Sequence, residues 1–213
     1  MDFIPELLAE YSENHTSKEP ALLAQLNRET NLKVLHPRML SGHLQGRFLS
    51  LFSKIVQPKK ILEIGTYTGY SALCLLEGLS NNGELITIDV NAELESICRR
   101  YFEESGRSDS IRLIIGNALE IIPELNEEFD IVFMDADKNN YLNYYHLVFD
   151  KVRPGGFIVI DNVLWSGKVV EPIDPKDEDT STLVALNKLI QEDERVENLL
   201  LPLRDGLMIA RKK

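Results

Sequence analysis

The chain has 213 residues, with 34 acidic against 23 basic side chains and a net charge of −11. Such a surface repels phosphate backbones and anionic lipid heads, which excludes nucleic acid and membrane as default partners. Hydrophobic residues make up 44% and no apolar run approaches the roughly 18 residues of a membrane span, so a single globular domain over residues 1–213 is expected. Met1-Asp2-Phe3 lacks the positive start of a signal peptide, and Cys74 and Cys98 show no metal-ligand spacing. They read as buried free thiols of a reducing compartment, the cytoplasm.

From the amino terminus, Ile4, Leu7, Leu8 and Tyr11 recur at helical spacing and predict a short amphipathic helix. Thr16-Ser17-Lys18-Glu19 has the form of a capping box, opening a second helix through Leu22, Leu23 and Leu26. Pro37 breaks the next stretch. A third helix follows from a Ser41 cap, with Leu44, Phe48, Leu51, Phe52 and Ile55 on one face, and Pro58 stops it. Residues 1–57 thus form a helical extension ahead of a core at 58–213. A cover over a site, a subunit contact and plain packing all fit such an extension.

The core opens on Lys60 to Ile64, a buried strand, followed by Gly65-Thr66-Tyr67-Thr68-Gly69, a glycine-bearing turn that starts an Ala- and Leu-rich helix ending at Ser80-Asn81-Asn82-Gly83. The spacing Glu63-x-Gly65-x-x-x-Gly69 departs from the G-x-G-x-x-G of dinucleotide binders and is not a P-loop. It leaves less room for a pyrophosphate and favours a nucleoside ligand without one; a plain strand–helix corner is the other reading. A second strand, Glu84 to Ile88, delivers Asp89, and Asn91 caps a helix with Leu94, Ile97, Cys98, Tyr101 and Phe102 inward, closed by Gly106.

Ile111 to Ile115 and Phe129 to Met134 are two further strands, the latter continuous in apolar residues as a strand covered on both faces should be. Asn139 to Val152 reads as a helix with Tyr141, Tyr145, Val148 and Val152 inward. Pro154-Gly155-Gly156 turns into a fifth strand, Phe157 to Ile160, ending in Asp161-Asn162. A polar loop at Pro172 to Asp179 precedes a last helix with Leu183, Leu186 and Ile190. Val196 to Leu203 and Leu207 to Arg211 close the chain as a hairpin turning at Asp205-Gly206. Strands alternating with helices specify a doubly wound, mostly parallel α/β sheet of seven strands, the hairpin contributing one antiparallel strand.

Asp89, Asp135 and Asp161 each follow a strand, which sets all three along the rim where such sheets bind ligands. Asp89 lies 20 residues beyond Gly69, near the distance at which an acidic side chain accepts ribose hydroxyls, though a helix cap has the same composition. Glu63, at the end of a buried strand, needs donors from backbone or ligand to keep its charge. Adjacent strand ends lie only ~5 Å apart, so Asp135, Asp161 and Asn162 can converge on one ion. Their oxygens suit Mg2+, Mn2+ or Ca2+ and make a poor zinc site; capping is the alternative. Lys138, at a helix start beside that position, would have its pKa depressed by helix and metal and serve as general base; a surface lysine paired with Asp135 or Asp137 is the plainer reading. Trp165 could wall an aromatic pocket or simply fill the core. His15, His36, His43 and His146 show no ligand spacing and read as packing residues.

Glu63 to Ser71, Asp135-Ala136-Asp137-Lys138-Asn139-Asn140-Tyr141 and Asp161-Asn162-Val163-Leu164-Trp165 together resemble the signature blocks of the cation-dependent, S-adenosylmethionine-using O-methyltransferases, which include the caffeoyl-CoA and catechol O-methyltransferases. The resemblance runs from about Thr16 to the carboxyl end, through Leu203-x-Asp205-Gly206-Leu207. It implies a Rossmann-like fold and a homodimer. It also implies that Glu63, Gly65, Thr66, Tyr67 and Ser71 surround S-adenosylmethionine, with Asp89 on its ribose and Ser41, Ala118 and Asp137 as further contacts. Asp135, Asp161 and Asn162 match the metal ligands, Mg2+ first among the candidates, and Lys138 matches the lysine assigned as base. Ser166 stands where the plant enzymes carry an asparagine near substrate. The acidic Asp174 to Asp179 loop replaces a longer aromatic and basic insertion, so the implied acceptor is a small catechol rather than caffeoyl-CoA. A nicotinamide-dependent oxidoreductase and a non-catalytic nucleoside-binding module are the alternatives.

Overall fold

Strands of five or six apolar residues, each followed by a turn and a helix, can bury both faces only by stacking side by side between two helical layers. The computed structural model describes residues 4–213, so the Met1-Asp2-Phe3 segment read for its missing leader charge lies outside the described residues. Its strands are β1 (Lys60–Ile64), β2 (Glu84–Asp89), β3 (Ile111–Ile115), β4 (Phe129–Met134), β5 (Val152–Asp161), β6 (Val196–Leu201) and β7 (Leu207–Lys212), in one sheet ordered β3-β2-β1-β4-β5-β7-β6. Pairing is parallel from β3 across to β5, and β7 alone is inserted antiparallel between β5 and β6. The chain leaves β1 toward β2 on one side and later returns to β4 on the other. The crevice beyond the carboxyl ends of β1 and β4 is therefore the switch point at which such sheets bind ligands.

The helices are α1 (Glu6–Asn14), α2 (Ala21–Lys33), α3 (Gly42–Val56), α4 (Tyr70–Leu76), α5 (Glu95–Glu104), α6 (Ala118–Glu124), α7 (Tyr141–Phe149) and α8 (Glu178–Glu192). Alternation along each strand divides the interior. Leu62, Ile64, Val132, Met134, Ile158 and Ile160 pack with Ile122, Tyr145 and Leu186 of α6, α7 and α8. Ile61, Leu85, Ile131, Phe133 and Val159 pack on the opposite face with Leu26, Leu49, Leu75 and Tyr101 of α2 to α5. The amino-terminal extension therefore belongs to one of the two helical layers. Among the described residues no helix is long and apolar enough to cross a membrane.

Several expectations for individual elements are corrected. The capping box at Thr16 to Glu19 does not form: α2 begins after Pro20 without a side-chain cap, and the Glu19 carboxylate accepts from the Tyr70 hydroxyl instead. Ser41 precedes α3 but is itself helical and makes no capping bond. The inward face of α3 is Gln45, Leu49 and Ser53, whereas Leu51 and Ile55 are 61% and 80% exposed. In α1, Leu7, Leu8 and Tyr11 are likewise exposed. Pro154-Gly155-Gly156 lies inside β5, not before it: pairing jumps from Phe129↔Val152 to Ile131↔Phe157, and the extra residues bulge. Val152 is accordingly strand, α7 stops at Phe149, and the helix after Gly69 stops at Leu76.

Candidate active site

The turn after β1 is built by contacts that only glycine permits. Gly65 has φ +99°, and a Cβ there would stand 1.9 Å from the Asp135 carbonyl oxygen. The close approach that requires glycine is thus to β4's end, which the Asp135 N–H to Ile64 carbonyl bond (2.8 Å) also ties to β1. Tyr67 N–H donates to Asp89 Oδ2 at 2.7 Å, and Asn91 N–H to Asp89 Oδ1 at 2.8 Å. Asp89 therefore both pins the glycine turn and starts the next loop, and each oxygen keeps a lone pair for another donor.

Glu63 is wholly buried beneath this turn. The Thr87 hydroxyl donates to its Oε2, Thr66 in turn pairs with Thr87, and Oε1 has no hydrogen-bond partner. Burial pushes the Glu63 pKa up to about 8, with the Ser71 and Thr87 hydroxyls opposing the rise and the charges of Asp135 and Asp89 adding to it. The donors that a buried carboxylate needs are thus only half supplied by the protein. Ser41, Thr66, Ser71 and Ala118 are buried near the rim, Ala118 just after the Asn117 that caps α6 through Leu119 N–H. Asp137 is exposed; its Oδ1 accepts from Tyr144 at 2.7 Å and its other oxygen from Asn140.

Met134 and Ile160 are register partners, so Asp135 and Asp161 emerge side by side. Asp161 is 4% exposed, its Oδ2 accepting from Gln45 Nε2 at 2.7 Å and its Oδ1 from Asn162 N–H at 2.8 Å. Burial first, and the Asp135 charge second, raise its pKa well above the carboxylate range. A buried carboxylate beside a half-buried one calls for positive charge nearby, and the Lys138 ammonium, 3.1 Å from Asp135, supplies part of it. Asn162, at φ +62°, follows directly. The side chains at these three positions carry hard oxygens, which would suit Mg2+, Mn2+ or Ca2+; among the described residues no group of three His, Cys, Asp or Glu could hold a metal ion.

Lys138 Nζ donates to Asp135 Oδ1 (3.1 Å), the Ala136 carbonyl (2.8 Å) and the Tyr141 hydroxyl (2.8 Å), using all three of its protons. Burial opposes its charge, but Tyr141, Asp135 and Asp161 outweigh that and raise its pKa above an ordinary lysine's. The expected depression rested on a neighbouring cation; the protein's own groups act in the opposite sense. The Trp165 ring lies 5.9 Å from Nζ and the Tyr141 ring 4.9 Å, giving the amine an aromatic wall. Ser166, at φ +54°, donates its N–H to Asp205 and is exposed, so Trp165 and Ser166 are held by the carboxyl-terminal hairpin turn.

The profile of a family described as O-methyltransferase matches residues 13–213. The chain belongs to that family. The caffeoyl-CoA O-methyltransferase 5 of Nicotiana tabacum is 34% identical to it over 206 residues, covering 92% of this chain and 85% of the relative. The caffeoyl-CoA O-methyltransferase of Petroselinum crispum matches at the same identity and coverage. Among solved structures, the SAH-bound Podospora anserina methyltransferase PaMTH1 superposes with a TM-score of 0.89 at 28% identity, covering 100% of this chain and 99% of that one. The Bacillus cereus O-methyltransferase in complex with SAH gives 0.89 at 28% identity, with 97% of each chain covered. Membership of the O-methyltransferases sets aside the oxidoreductase and the non-catalytic module.

Two residues of this candidate site carry little signal in the sequence. Gln45 reaches Asp161 from α3, and its only signal is a polar residue four positions after Ser41 on a helix whose apolar residues mark a different face. Thr87 is one polar residue within a run of β2, and its link to Glu63 depends on the Glu63↔Thr87 pairing of β1 with β2.

Proposed function

We propose that this O-methyltransferase moves a methyl group from S-adenosylmethionine to one hydroxyl of a small catechol-type acceptor, with a divalent cation held by Asp135, Asp161 and Asn162 and Lys138 as general base. The observation that carries the reading is the paired emergence of Asp135 and Asp161 from adjacent strands, with Lys138 hydrogen-bonded to Asp135. S-Adenosylmethionine supplies the methyl as a sulfonium, and a cation at the two carboxylates supplies the Lewis acidity that lowers the pKa of a neighbouring hydroxyl. Mg2+ is the first candidate for the cation, with Mn2+ or Ca2+ as alternatives.

Glu63, Gly65, Thr66, Tyr67, Ser71 and Asp89 form the nucleoside side, where the open lone pairs of Asp89 and the unpartnered Oε1 of Glu63 await donors. Ser41, Ala118 and Asp137 complete that contact set. Lys138 accepts the acceptor's hydroxyl proton at Nζ. To do so it must first be neutral, and a cation on Asp135 is the influence that opposes its charge. As the hydroxyl oxygen bonds to the methyl carbon, the carbon–sulfur bond breaks and its pair stays on sulfur, leaving a neutral thioether. The chain's task is to hold both partners at attack distance away from water, with Trp165 and Ser166 beside the acceptor.

The segment at 174–179, a loop leading into the first turn of α8, carries Asp174, Asp177, Glu178 and Asp179 against one lysine, which disfavours an acceptor with a polyanionic tail. A homodimer is part of the proposal: Leu51 and Ile55 on α3 and Leu199 on the edge strand β6 leave apolar side chains uncovered. The test is a panel of catechols and hydroxycinnamoyl thioesters with S-adenosylmethionine, each run with Mg2+ and with chelator. Methylation of catechols only with Mg2+ supports the reading; turnover unaffected by chelator removes the cation from it.

A further inference from the structure

We propose that Gln45 is a positioning residue for Asp161, so that the amino-terminal helical extension is a working part of the cation site and not only a cover. The inference rests on the cation reading above. Gln45 lies on α3, fully buried at 0% exposure, and its Nε2 is 2.7 Å from Asp161 Oδ2. Only the amide's N–H2 end can face a carboxylate, since the carbonyl end would set two acceptors together. With Asn162 N–H on Oδ1, each carboxylate oxygen has one neutral donor and unused lone pairs. Such donors fix the plane of the carboxylate without cancelling its charge, whereas a lysine or arginine there would compete with a cation.

The other end of the amide shows that packing alone does not explain the residue. Gln45 Oε1 is buried with no hydrogen-bond partner. A buried orphan carbonyl is unfavourable, and an apolar side chain of the same length would avoid it. The amide's reach is also fixed by its neighbours. A Cβ on Gly46 would lie 2.7 Å from the Tyr70 ring, so α3 packs closely on α4, and Leu49 one turn on is wholly buried. Helix α3 therefore cannot drift away from Asp161 without opening that contact.

The test uses Gln45→Leu and Gln45→Met, both apolar and of similar volume, in the full chain saturated with S-adenosylhomocysteine. Mn2+ binding is measured directly by electron paramagnetic resonance, and S-adenosylhomocysteine binding by calorimetry. The expected result is Mn2+ affinity weakened ~10–100-fold, the usual consequence of removing a group that orients a metal ligand, with nucleoside affinity within about threefold. Mn2+ affinity matching the parent's would overturn the proposal, as would equal losses of both ligands or variants that bind neither, since those outcomes assign Gln45 to packing. A parent protein that binds no Mn2+ would instead sink the cation reading itself.

Discussion

Glu63→Gln should make the ligand-free protein more stable in mild alkali and less stable in acid, a reversal set by one buried carboxyl. Burial raises the Glu63 pKa from 4.5 to about 8. Below the lower value both folded and unfolded chains hold the proton, and no penalty exists. Between the two values the unfolded chain releases a proton that the folded chain retains, so folding stability falls as pH rises, and above the upper value the loss is complete. At about 1.4 kcal/mol per pKa unit the swing is roughly 5 kcal/mol at most. Glutamine keeps the bond from Thr87 but leaves an amide N–H2 unpaired where Oε1 had no partner, which costs about 1–3 kcal/mol at every pH. The variant should therefore be about 2–4 kcal/mol more stable than the parent near pH ~8.5 and about 1–3 kcal/mol less stable near pH ~4.5. Urea unfolding followed by circular dichroism at several pH values measures both. Stability–pH curves that run parallel for the two proteins would refute the reasoning, because the carboxyl would then titrate alike folded and unfolded.

Three further outcomes are expected. Gly65→Ala places a Cβ 1.9 Å from the Asp135 carbonyl at a backbone φ of +99°, and thermal unfolding should show a loss of about 3 kcal/mol or more; an unchanged melting temperature would mean the two strand ends are not held that closely. Asp161→Ala should abolish cation-dependent turnover while S-adenosylhomocysteine affinity, measured by calorimetry, stays within about threefold, because Asp161 ends β5, two strands from the β1 turn proposed to hold the nucleoside; turnover equal to the parent's would take the cation out of the mechanism. Leu51→Lys combined with Ile55→Lys should convert the proposed dimer to monomer in sedimentation velocity without lowering stability, since both side chains are exposed in the single chain; a parent that sediments as a monomer would sink the dimer proposal.

The fold was legible because its signals are local. β3 and β4 end where their apolar runs end, Asn91 caps the 3-10 turn Ala92–Leu94 that leads into α5, and the sheet's class follows from the alternation of strand and helix. Elements whose ends depend on a partner were not. Pro154-Gly155-Gly156 has turn composition, yet the five-residue advance of β5 against two on β4 absorbs it as a bulge. The Thr16 to Glu19 capping box gave way because Glu19 is claimed by Tyr70, a residue far along the chain. On α3, apolar spacing marked a face that is only half covered, Phe48 and Phe52 packing on the core while Leu51 and Ile55 stay exposed, since the inward stripe carries Gln45 and Ser53, polar residues with buried partners.

By itself, the order of residues determined the parallel sheet, the glycine turn and the row of aspartates at strand ends, because each depends on backbone preferences within a few residues. Tertiary structure decided what those residues face: Gly65 an opposing carbonyl, Glu63 a half-satisfied pocket, Asp161 an amide 116 positions away. It also completed the surroundings of Lys138, whose charge is held by Asp135 and Tyr141, three residues to either side, together with Asp161 arriving from β5. Burial and electrostatic fields sum over everything within several ångströms, and only the folded chain brings those groups within range.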